Sequence, residues 1–231
     1  MNSKSKKRIL SISIMVIAII SIYGMYNKYF DIKNLEATLH DHANIENTQS
    51  NIGIDVALKE LAIGNPNAPI TIIEYASMTC SHCADFHNNI FPIIKQNHIE
   101  TGEVRFIFRE FPIDKLAMAT SMLARCVDNN LTLSFIDILF KTRDTWISDD
   151  AINQLKALSK QAGLSSEDFD QCLNNQSLLD ELINAKENAI KDHNISATPT
   201  FIINGKKMTG SKPYSDFQKE IENILDTLAE I

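Results

Sequence analysis

One stretch of the chain decides the fold, Ile70-Thr-Ile-Ile-Glu-Tyr-Ala-Ser-Met-Thr-Cys-Ser-His-Cys83. Its first half, 70–76, is apolar and β-branched, which predicts a buried strand. Cys80 and Cys83 come next, and apolar residues recur at helical spacing over 84–96. The stretch therefore predicts a strand that leads directly into a Cys-x-x-Cys motif at the start of a helix.

The rest of the chain extends this unit into a sheet domain interrupted by a block of helices. The remaining predicted elements are a strand at 104–108, helices at 115–127, 131–142, 149–162, 166–174 and 176–192, a hairpin of strands at 200–203 and 206–208, and a helix at 214–231. Asp114 can cap the first of these helices, Ser165 with Asp168 is a capping-box variant for the fourth, and Asn204-Gly205 is a strong hairpin turn. The order predicts an α/β domain with an all-helical insertion at about 114–192.

Charge is distributed unevenly along the 231 residues. The whole chain has 22 Lys+Arg and 29 Asp+Glu, a net charge of −7. Residues 1–30 hold five of the basic residues and no acidic one, which leaves 17 basic and 29 acidic residues, a net −12, in 31–231. An acidic body repels phosphate, which argues against nucleic acid as a partner.

The basic N-terminus is followed by an apolar segment, a pattern that predicts export or membrane insertion. Residues 1–8 form a basic tip, and 9–26 contain no charged residue, which is typical of a signal sequence or a membrane anchor. No obvious small-x-small cleavage site follows, which favours an uncleaved anchor. Residues 27–60 are polar and predict a tether, and 61–231 are the expected folded domain.

The charge of the tip also predicts orientation, because positive residues stay on the cytoplasmic side of a membrane. We therefore expect a periplasmic domain in the bacterial cell envelope. It is either anchored in the lipid bilayer of the inner membrane through 9–26 or released after signal cleavage. Disulfides persist in that compartment.

Cys80 and Cys83 carry the chemistry. Two cysteines separated by two residues can close a disulfide on the first turn of a helix. There the helix dipole and free N–H groups favour a thiolate at Cys80, and His82 can add positive charge or a hydrogen bond. A stabilised thiolate favours the reduced form, which makes the disulfide a stronger oxidant.

The same motif is also a common half-site for metals. Cys80, Cys83 and His87 lie at i, i+3 and i+7 and could share one helix face, with His82 nearby. A metal-binding module is therefore the alternative from a different class. Outside that alternative, we expect His87, His98 and His193 to be solvated or capping residues. Haem attachment is excluded because Ala84, not His, follows Cys83.

Glu74 and the Thr198-Pro199 pair each have two interpretations. Glu74 interrupts an apolar strand six residues before Cys80. It is either a carboxylate facing water or a partly buried acid that exchanges a proton with Cys83. Pro199 is either a plain loop residue or a cis-proline that brings the backbone of Thr198 beside the cysteines for pairing with a substrate chain.

These motifs resemble those of the thioredoxin-fold thiol:disulfide oxidoreductases, specifically of the DsbA-like branch. The matching stretches, which lie within about residues 60–231, are Gly64-Asn-Pro-Asn-Ala-Pro69, Glu74-Tyr-Ala-Ser77, Cys80-Ser-His-Cys83 with Phe86-His87, Val104-Arg-Phe-Ile-Phe-Arg-Glu-Phe-Pro112 and Ala197-Thr-Pro-Thr-Phe201. The resemblance implies a thioredoxin-like fold with a helical insertion, and we expect no cofactor.

The resemblance also implies a role for each site residue. Cys80 is the nucleophilic cysteine that exchanges with substrate, and Cys83 is the buried resolving cysteine. Pro199 is the cis-proline, Thr198 the residue before it, and Glu74 the buried acid near the pair. The implied partners are reduced, unfolded exported proteins and a membrane quinone-linked reoxidase.

Two departures from the family pattern leave the direction of electron flow open. Ser81 stands where the best-known periplasmic oxidase has Pro, and Thr198 precedes the proline as in isomerases and reductases of the superfamily. His82 favours oxidation. We therefore predict an envelope protein-disulfide oxidase, with a disulfide reductase or isomerase of the same fold as the alternative and a noncatalytic anchored adaptor as a third candidate.

Cys126 and Cys172 are the remaining two of the four cysteines, and both fall on apolar helix stripes of the insertion. In an oxidising compartment we expect a structural disulfide between them, which would add about 4 kcal/mol in the chain-entropy model. The alternative is two reduced cysteines packed as small apolar core residues.

Overall fold

The computed structural model describes residues 58–230. The predicted basic tip (1–8), the signal sequence or anchor (9–26) and the tether up to residue 57 lie outside the described residues. Within 58–230, no helix has the length and apolar character needed to cross a membrane.

A five-stranded mixed sheet forms the centre of the domain. The strands are β1 (Leu61–Ile63), β2 (Ile70–Ala76), β3 (Val104–Glu110), β4 (Thr200–Ile203) and β5 (Lys206–Thr209). Their spatial order is β1-β3-β2-β4-β5; β2 and β3 run parallel, and the other neighbours run antiparallel. The strand that leads into the cysteines, β2, is therefore central and paired along both edges.

Helices surround the sheet in three groups. After β2 come four consecutive helical segments that we call α1, namely α-helical Ser81–Asp85, π-helical Phe86–Ile90, α-helical Phe91–Ile94 and π-helical Lys95–Ile99. Between β3 and β4 lie α2 (Lys115–Cys126), α3 (Thr132–Lys141), α4 (Arg143–Trp146), α5 (Ala151–Gln161), α6 (Ser166–Leu173) and α7 (Gln176–His193). The last helix, α8 (Tyr214–Ala229), follows β5.

Local signals in the sequence define several of these boundaries. The side chain of Asp114 accepts a hydrogen bond from a backbone N–H in the first turn of α2, at 2.7 Å. Ser165 and Asp168 form a reciprocal capping box at the start of α6. Asn204 and Gly205 both have positive φ, 43° and 89°, which the tight turn between β4 and β5 requires.

One hydrophobic core joins the sheet to the insertion. Phe106 and Phe108 of β3 belong to the same buried cluster as Phe135, Leu139 and Trp146 of the insertion. The insertion therefore packs directly onto the sheet. The predicted α/β class, a thioredoxin-like fold with an all-helical insertion, is confirmed.

A disulfide links Cys126, the last residue of α2, to Cys172 on α6. The two Cα atoms are 6.2 Å apart, within the usual range for a bridge. The bridge ties two helices of the insertion together.

Candidate active site

The site forms where β2 ends and α1 begins. Cys80 is the N-cap residue of α1, with an extended backbone, and its own N–H donates to the carbonyl of Ser77 at 3.0 Å. Cys83 lies within the first turn. Both cysteines are free thiols and both are buried, so the pair occupies the helix start that the sequence predicts.

The loop before β4 lies against the first cysteine. The peptide bond between Thr198 and Pro199 is cis. Sγ of Cys80 lies 3.4 Å from the carbonyl oxygen of Thr198, to which it can donate a hydrogen bond when the thiol is protonated. Residues separated by 118 positions in the chain are therefore in contact at the site.

The surroundings of Cys80 strongly favour its thiolate. The pKa of Cys80 is lowered from 9.0 to about 5, chiefly by a hydrogen bond from the thiol of Cys83. Burial acts in the opposite direction, and smaller contributions that lower the pKa come from the side chain of Thr198 and from backbone hydrogen bonds of Cys83 and His82. Cys80 is therefore ionised at neutral pH.

Cys83 has the opposite character. Burial raises the pKa of the Cys83 thiol far above its ordinary value. Its hydrogen bond to Cys80 and the nearby negative charge of Glu74 act in the same direction. The pair therefore consists of an ionised cysteine at the helix start and a protonated one behind it.

Glu74 lies on β2 with no solvent exposure. Its Oε2 is 2.8 Å from Nε2 of His87, which belongs to α1 and is 4% exposed. The expectation that His87 is a solvated or capping residue is wrong, because the ring faces the sheet and pairs with a buried acid there. The alternative of a carboxylate facing water does not apply to Glu74.

The metal alternative gains no support from this arrangement. Nε2 of His87 is already engaged by Glu74. In the part of the chain from 58 to 230, no group of three or more His, Cys, Asp or Glu side chains is arranged to hold a metal ion. The donor set of Cys80, Cys83 and His87 is therefore not assembled.

His82 is exposed and presents its imidazole to solvent, beside the cysteines. The contribution of this residue to the low pKa of Cys80 comes from a backbone hydrogen bond. A role for the ring stays a prediction.

Two residues of the insertion, Arg143 and Asp114, contact the active-site loop, and neither contact is predicted from the sequence, which indicates only a capping role for Asp114. The guanidinium of Arg143 donates to the carbonyl oxygen of Thr79 from Nε at 2.9 Å and from Nη2 at 2.8 Å. The hydroxyl of Thr79 donates to Oδ2 of Asp114 at 2.7 Å. Thr79, the residue directly before Cys80, is thus held by one residue at the start of α2 and by one at the start of α4.

Comparisons with known proteins agree with this geometry. A family model described as thioredoxin matches residues 57–223. A Rickettsia bellii protein provisionally named a protein-disulfide oxidoreductase is 34% identical over 148 residues, which is 63% of this chain and 57% of that protein. The thiol:disulfide interchange protein DsbA of Burkholderia cepacia is 26% identical over 72% of this chain and 77% of its own length. The chain spans 55 to 62% of the length of the five rickettsial relatives.

Solved structures of DsbA-like proteins are also similar to this chain. Alpha-DsbA1 of Wolbachia pipientis has 32% identity and a TM-score of 0.68, covering 74% of this chain and 94% of that one. The oxidised form of BdbD from Bacillus subtilis, at 24% identity and a TM-score of 0.65, shares the fold over 72% of this chain and 93% of its own.

Proposed function

The chain belongs to the DsbA-like branch of the thioredoxin superfamily of protein-disulfide oxidoreductases, and we propose that it is an oxidase of the bacterial cell envelope. In this role it transfers the Cys80–Cys83 disulfide to reduced, unfolded exported proteins. The observation that carries the proposal is the low pKa of Cys80, about 5. A thiolate this stable favours the dithiol over the disulfide and draws electrons from the substrate to the protein.

The first step opens the disulfide of the protein. A substrate thiolate attacks Sγ of Cys80, the bond between Cys80 and Cys83 breaks, and a mixed disulfide forms. Cys83 leaves as a thiolate, and because burial raises its pKa, it must take a proton. Glu74, whose negative charge acts on Cys83, is the proposed relay for that proton, which the carboxylate must first accept from water or from an incoming thiol.

The second step releases the product. Another substrate thiolate attacks the substrate sulfur of the mixed disulfide, so that the substrate gains a disulfide and Cys80 leaves as a thiolate. With a pKa of about 5, Cys80 needs no proton at neutral pH and is a good leaving group. Two electrons have then passed from the substrate to the Cys80–Cys83 pair.

The loop at Thr198 is the proposed docking point for the substrate backbone. Its carbonyl oxygen lies 3.4 Å from Sγ of Cys80. A substrate cysteine bonded to Cys80 therefore brings its own backbone beside Thr198 and Pro199, where main-chain hydrogen bonds can orient it without regard to sequence. Such binding suits an enzyme that acts on many unfolded chains.

The location and the reoxidation route are also proposals. The basic tip at 1–8 and the uncharged segment at 9–26 support export of the domain across the inner membrane, with 9–26 as a retained anchor or a cleaved signal. A periplasmic domain left in the dithiol form needs an electron acceptor, for which a membrane quinone-linked reoxidase is the candidate. An anchored enzyme would keep close to such a partner.

Oxidative refolding of a reduced, denatured protein tests the proposal. The disulfide form of the protein, as sole oxidant, should form one substrate disulfide per molecule, and Cys80→Ser should form none. Cys83→Ser cannot form this disulfide and should not oxidise the substrate. When the reduced variant is mixed with a substrate that carries a disulfide, the thiolate of Cys80 should attack that bond and form a mixed disulfide, detectable by mass, with release of one substrate thiolate. A Cys80→Ser variant that oxidises substrate as fast as wild type would contradict the proposal.

A reductase or isomerase is the second candidate, and the residue before Pro199 is the observation that favours it. Thr198 occupies that position, as in isomerases and reductases of the superfamily. Equilibration with glutathione separates the two candidates. An oxidase should remain largely in the dithiol form in buffers where an ordinary structural dithiol is oxidised, whereas a reductase should be oxidised there.

A further inference from the structure

The buried pair of Glu74 and His87 is a feature that the proposed exchange steps leave partly unexplained. Oε2 of Glu74 and Nε2 of His87 are 2.8 Å apart, at a hydrogen-bond distance. The two side chains are 0% and 5% exposed. A buried acid needs a partner to remain charged, and the histidine supplies one.

Aromatic rings isolate the imidazole of His87 from water. It stacks on Phe140 of the insertion at a centroid distance of 4.1 Å and contacts the rings of Phe91 and Phe108 at 5.2 and 5.9 Å. The low polarity of this cluster strengthens the hydrogen bond to Glu74 and raises the cost of any unpaired polar group.

Other charged groups on the neighbouring elements are engaged elsewhere. On α3, Asp137 pairs with Lys141, and at the end of β3, Glu110 pairs with Arg125. From α1 itself, Cys83 is the titratable group that senses the charge of Glu74. Among these groups, the carboxylate of Glu74 is the one that contacts His87.

Two polar atoms of the Glu74–His87 pair without hydrogen-bond partners indicate which atoms of the pair carry protons. Nδ1 of His87 and Oε1 of Glu74 are buried and have no hydrogen-bond partner among the described residues. An imidazolium would bury an unsatisfied N–H at Nδ1, which is costly, whereas a neutral ring leaves only an unused lone pair. The favoured state is a neutral imidazole that donates Nε2–H to the ionised carboxylate.

We propose that His87 is a positioning residue for proton exchange at Cys83, which it controls by holding Glu74 ionised and oriented through the Nε2–H bond. The inference rests on the proposed function and adds a residue to it. When Cys83 is deprotonated, its proton passes to the carboxylate of Glu74, and the thiolate of Cys83 attacks Cys80 in a mixed disulfide. The disulfide bond between Cys80 and its partner sulfur breaks, and the partner leaves as a thiolate. In the opposite direction, the carboxyl of Glu74 returns its proton to Cys83.

Reaction of the reduced protein with oxidised glutathione isolates this step. Cys80 first forms a mixed disulfide with glutathione, and Cys83 then resolves it. Acid quenching followed by mass measurement gives the rate of the second step across pH 4 to 9. In wild type, the pH dependence of this rate should follow the ionisation of the Glu74–His87 pair.

Replacing His87 with Phe removes the group that donates a hydrogen bond to the carboxylate of Glu74. In His87→Phe the carboxylate of Glu74 loses its hydrogen-bond donor and its negative charge is less stabilised, so the pH at which resolution reaches half its maximal rate should rise by about one unit. On the acid side of the profile, resolution should then be about tenfold slower. His87→Gln, whose amide can donate to Glu74, should restore most of the wild-type profile.

Two controls separate this role from a structural one. Phe169→Leu shortens a buried aromatic side chain elsewhere in the insertion core, on α6, and should leave the midpoint of the profile unchanged. In a Glu74→Gln background, His87→Phe should cause no further shift. A shift of equal size in that background would overturn the inference, because His87 would then act without Glu74.

A second measurement needs no variant. The ring ¹⁵N chemical shifts of His87 in the reduced wild-type protein should show a neutral ring protonated at Nε2 at pH 7. An imidazolium, or a neutral ring protonated at Nδ1, would overturn the inference even if His87→Phe failed to fold. Loss of Cys80-dependent oxidation in wild type would instead contradict the proposed function, so the two failures can be told apart.

Discussion

Arg143 and Thr79 are joined by two hydrogen bonds across 64 positions of the chain, from Nε and Nη2 of the guanidinium to one carbonyl oxygen. Thr79 directly precedes Cys80, and Arg143 begins α4 in the helical insertion. The insertion thus fixes the peptide that leads into the reactive cysteine. We conclude that it contributes to the geometry of the active site as well as to the core.

Replacement of Arg143 should loosen this peptide. Arg143→Met keeps the aliphatic stem and removes both hydrogen bonds, so we expect a loss of about 1–3 kcal/mol in the free energy of unfolding. Misplacement of Cys80 should slow its exchange with glutathione by about three- to tenfold. Urea denaturation and stopped-flow exchange measure the two effects.

Lys141→Met is the matched control, because Lys141 lies two residues away and forms only a surface pair with Asp137. It should change stability by less than about 0.5 kcal/mol and leave exchange unaffected. If both variants behaved alike, the contact between Arg143 and Thr79 would have no special role.

The pKa of Cys80 predicts how the stability of the reduced protein depends on pH. The folded value of about 5 lies below the ordinary 9.0, so ionisation of Cys80 stabilises the folded dithiol protein above pH 5, and this stabilisation is lost as pH falls through 5. From pH 5 to about 8, the free energy of unfolding of the reduced protein should rise by about 2 kcal/mol, allowing for solvent screening.

The rise in the free energy of unfolding should stop near pH 8. Above that pH, Cys83 ionises in the unfolded chain, while burial keeps it protonated in the folded protein. The disulfide form has neither thiol and serves as the control. Urea denaturation of both forms at several pH values gives the difference between them. A difference that stays constant from pH 5 to 8 would be inconsistent with a low pKa of Cys80.

The bridge between Cys126 and Cys172 should stabilise the fold without taking part in exchange. It closes a loop across a sequence separation of 46, and the double variant Cys126→Ala/Cys172→Ala should lose about 3–4 kcal/mol in the free energy of unfolding. Well below its unfolding temperature, the variant should exchange with glutathione at the wild-type rate. An exchange defect of tenfold or more in folded protein would assign the second pair a redox role.

The sequence predicts the elements best where the signal is local. The apolar run at Ile70–Ala76, the turn at Asn204-Gly205 and the capping box at Ser165 each depend on neighbouring residues, and each element forms where its pattern predicts. The short strand Leu61–Ile63 went unpredicted. With three residues it is too short for a periodic pattern, and it exists because β3 offers it a partner.

The site divides in the same way. The Cys-x-x-Cys spacing identifies Cys80 and Cys83 from the sequence, because the motif is contiguous. His98 shows the limit for other residues. A solvated or capping role was expected for it, yet it is buried with Nδ1 2.7 Å from Glu103 and Nε2 2.9 Å from the hydroxyl of Tyr214. Such partners, like Thr79 for Arg143, are brought together by the fold and cannot be read from spacing.

Titration of the Cys80 thiolate tests the central claim most directly. The absorbance of the thiolate near 240 nm in the reduced protein, followed from pH 3 to 9 with the Cys80→Ser variant subtracted, gives the pKa of this group alone. The low-pKa thiolate that underlies the proposed oxidase activity predicts a midpoint at about 5. A midpoint near 9.0, the ordinary value from which the pKa of Cys80 is lowered, would contradict it.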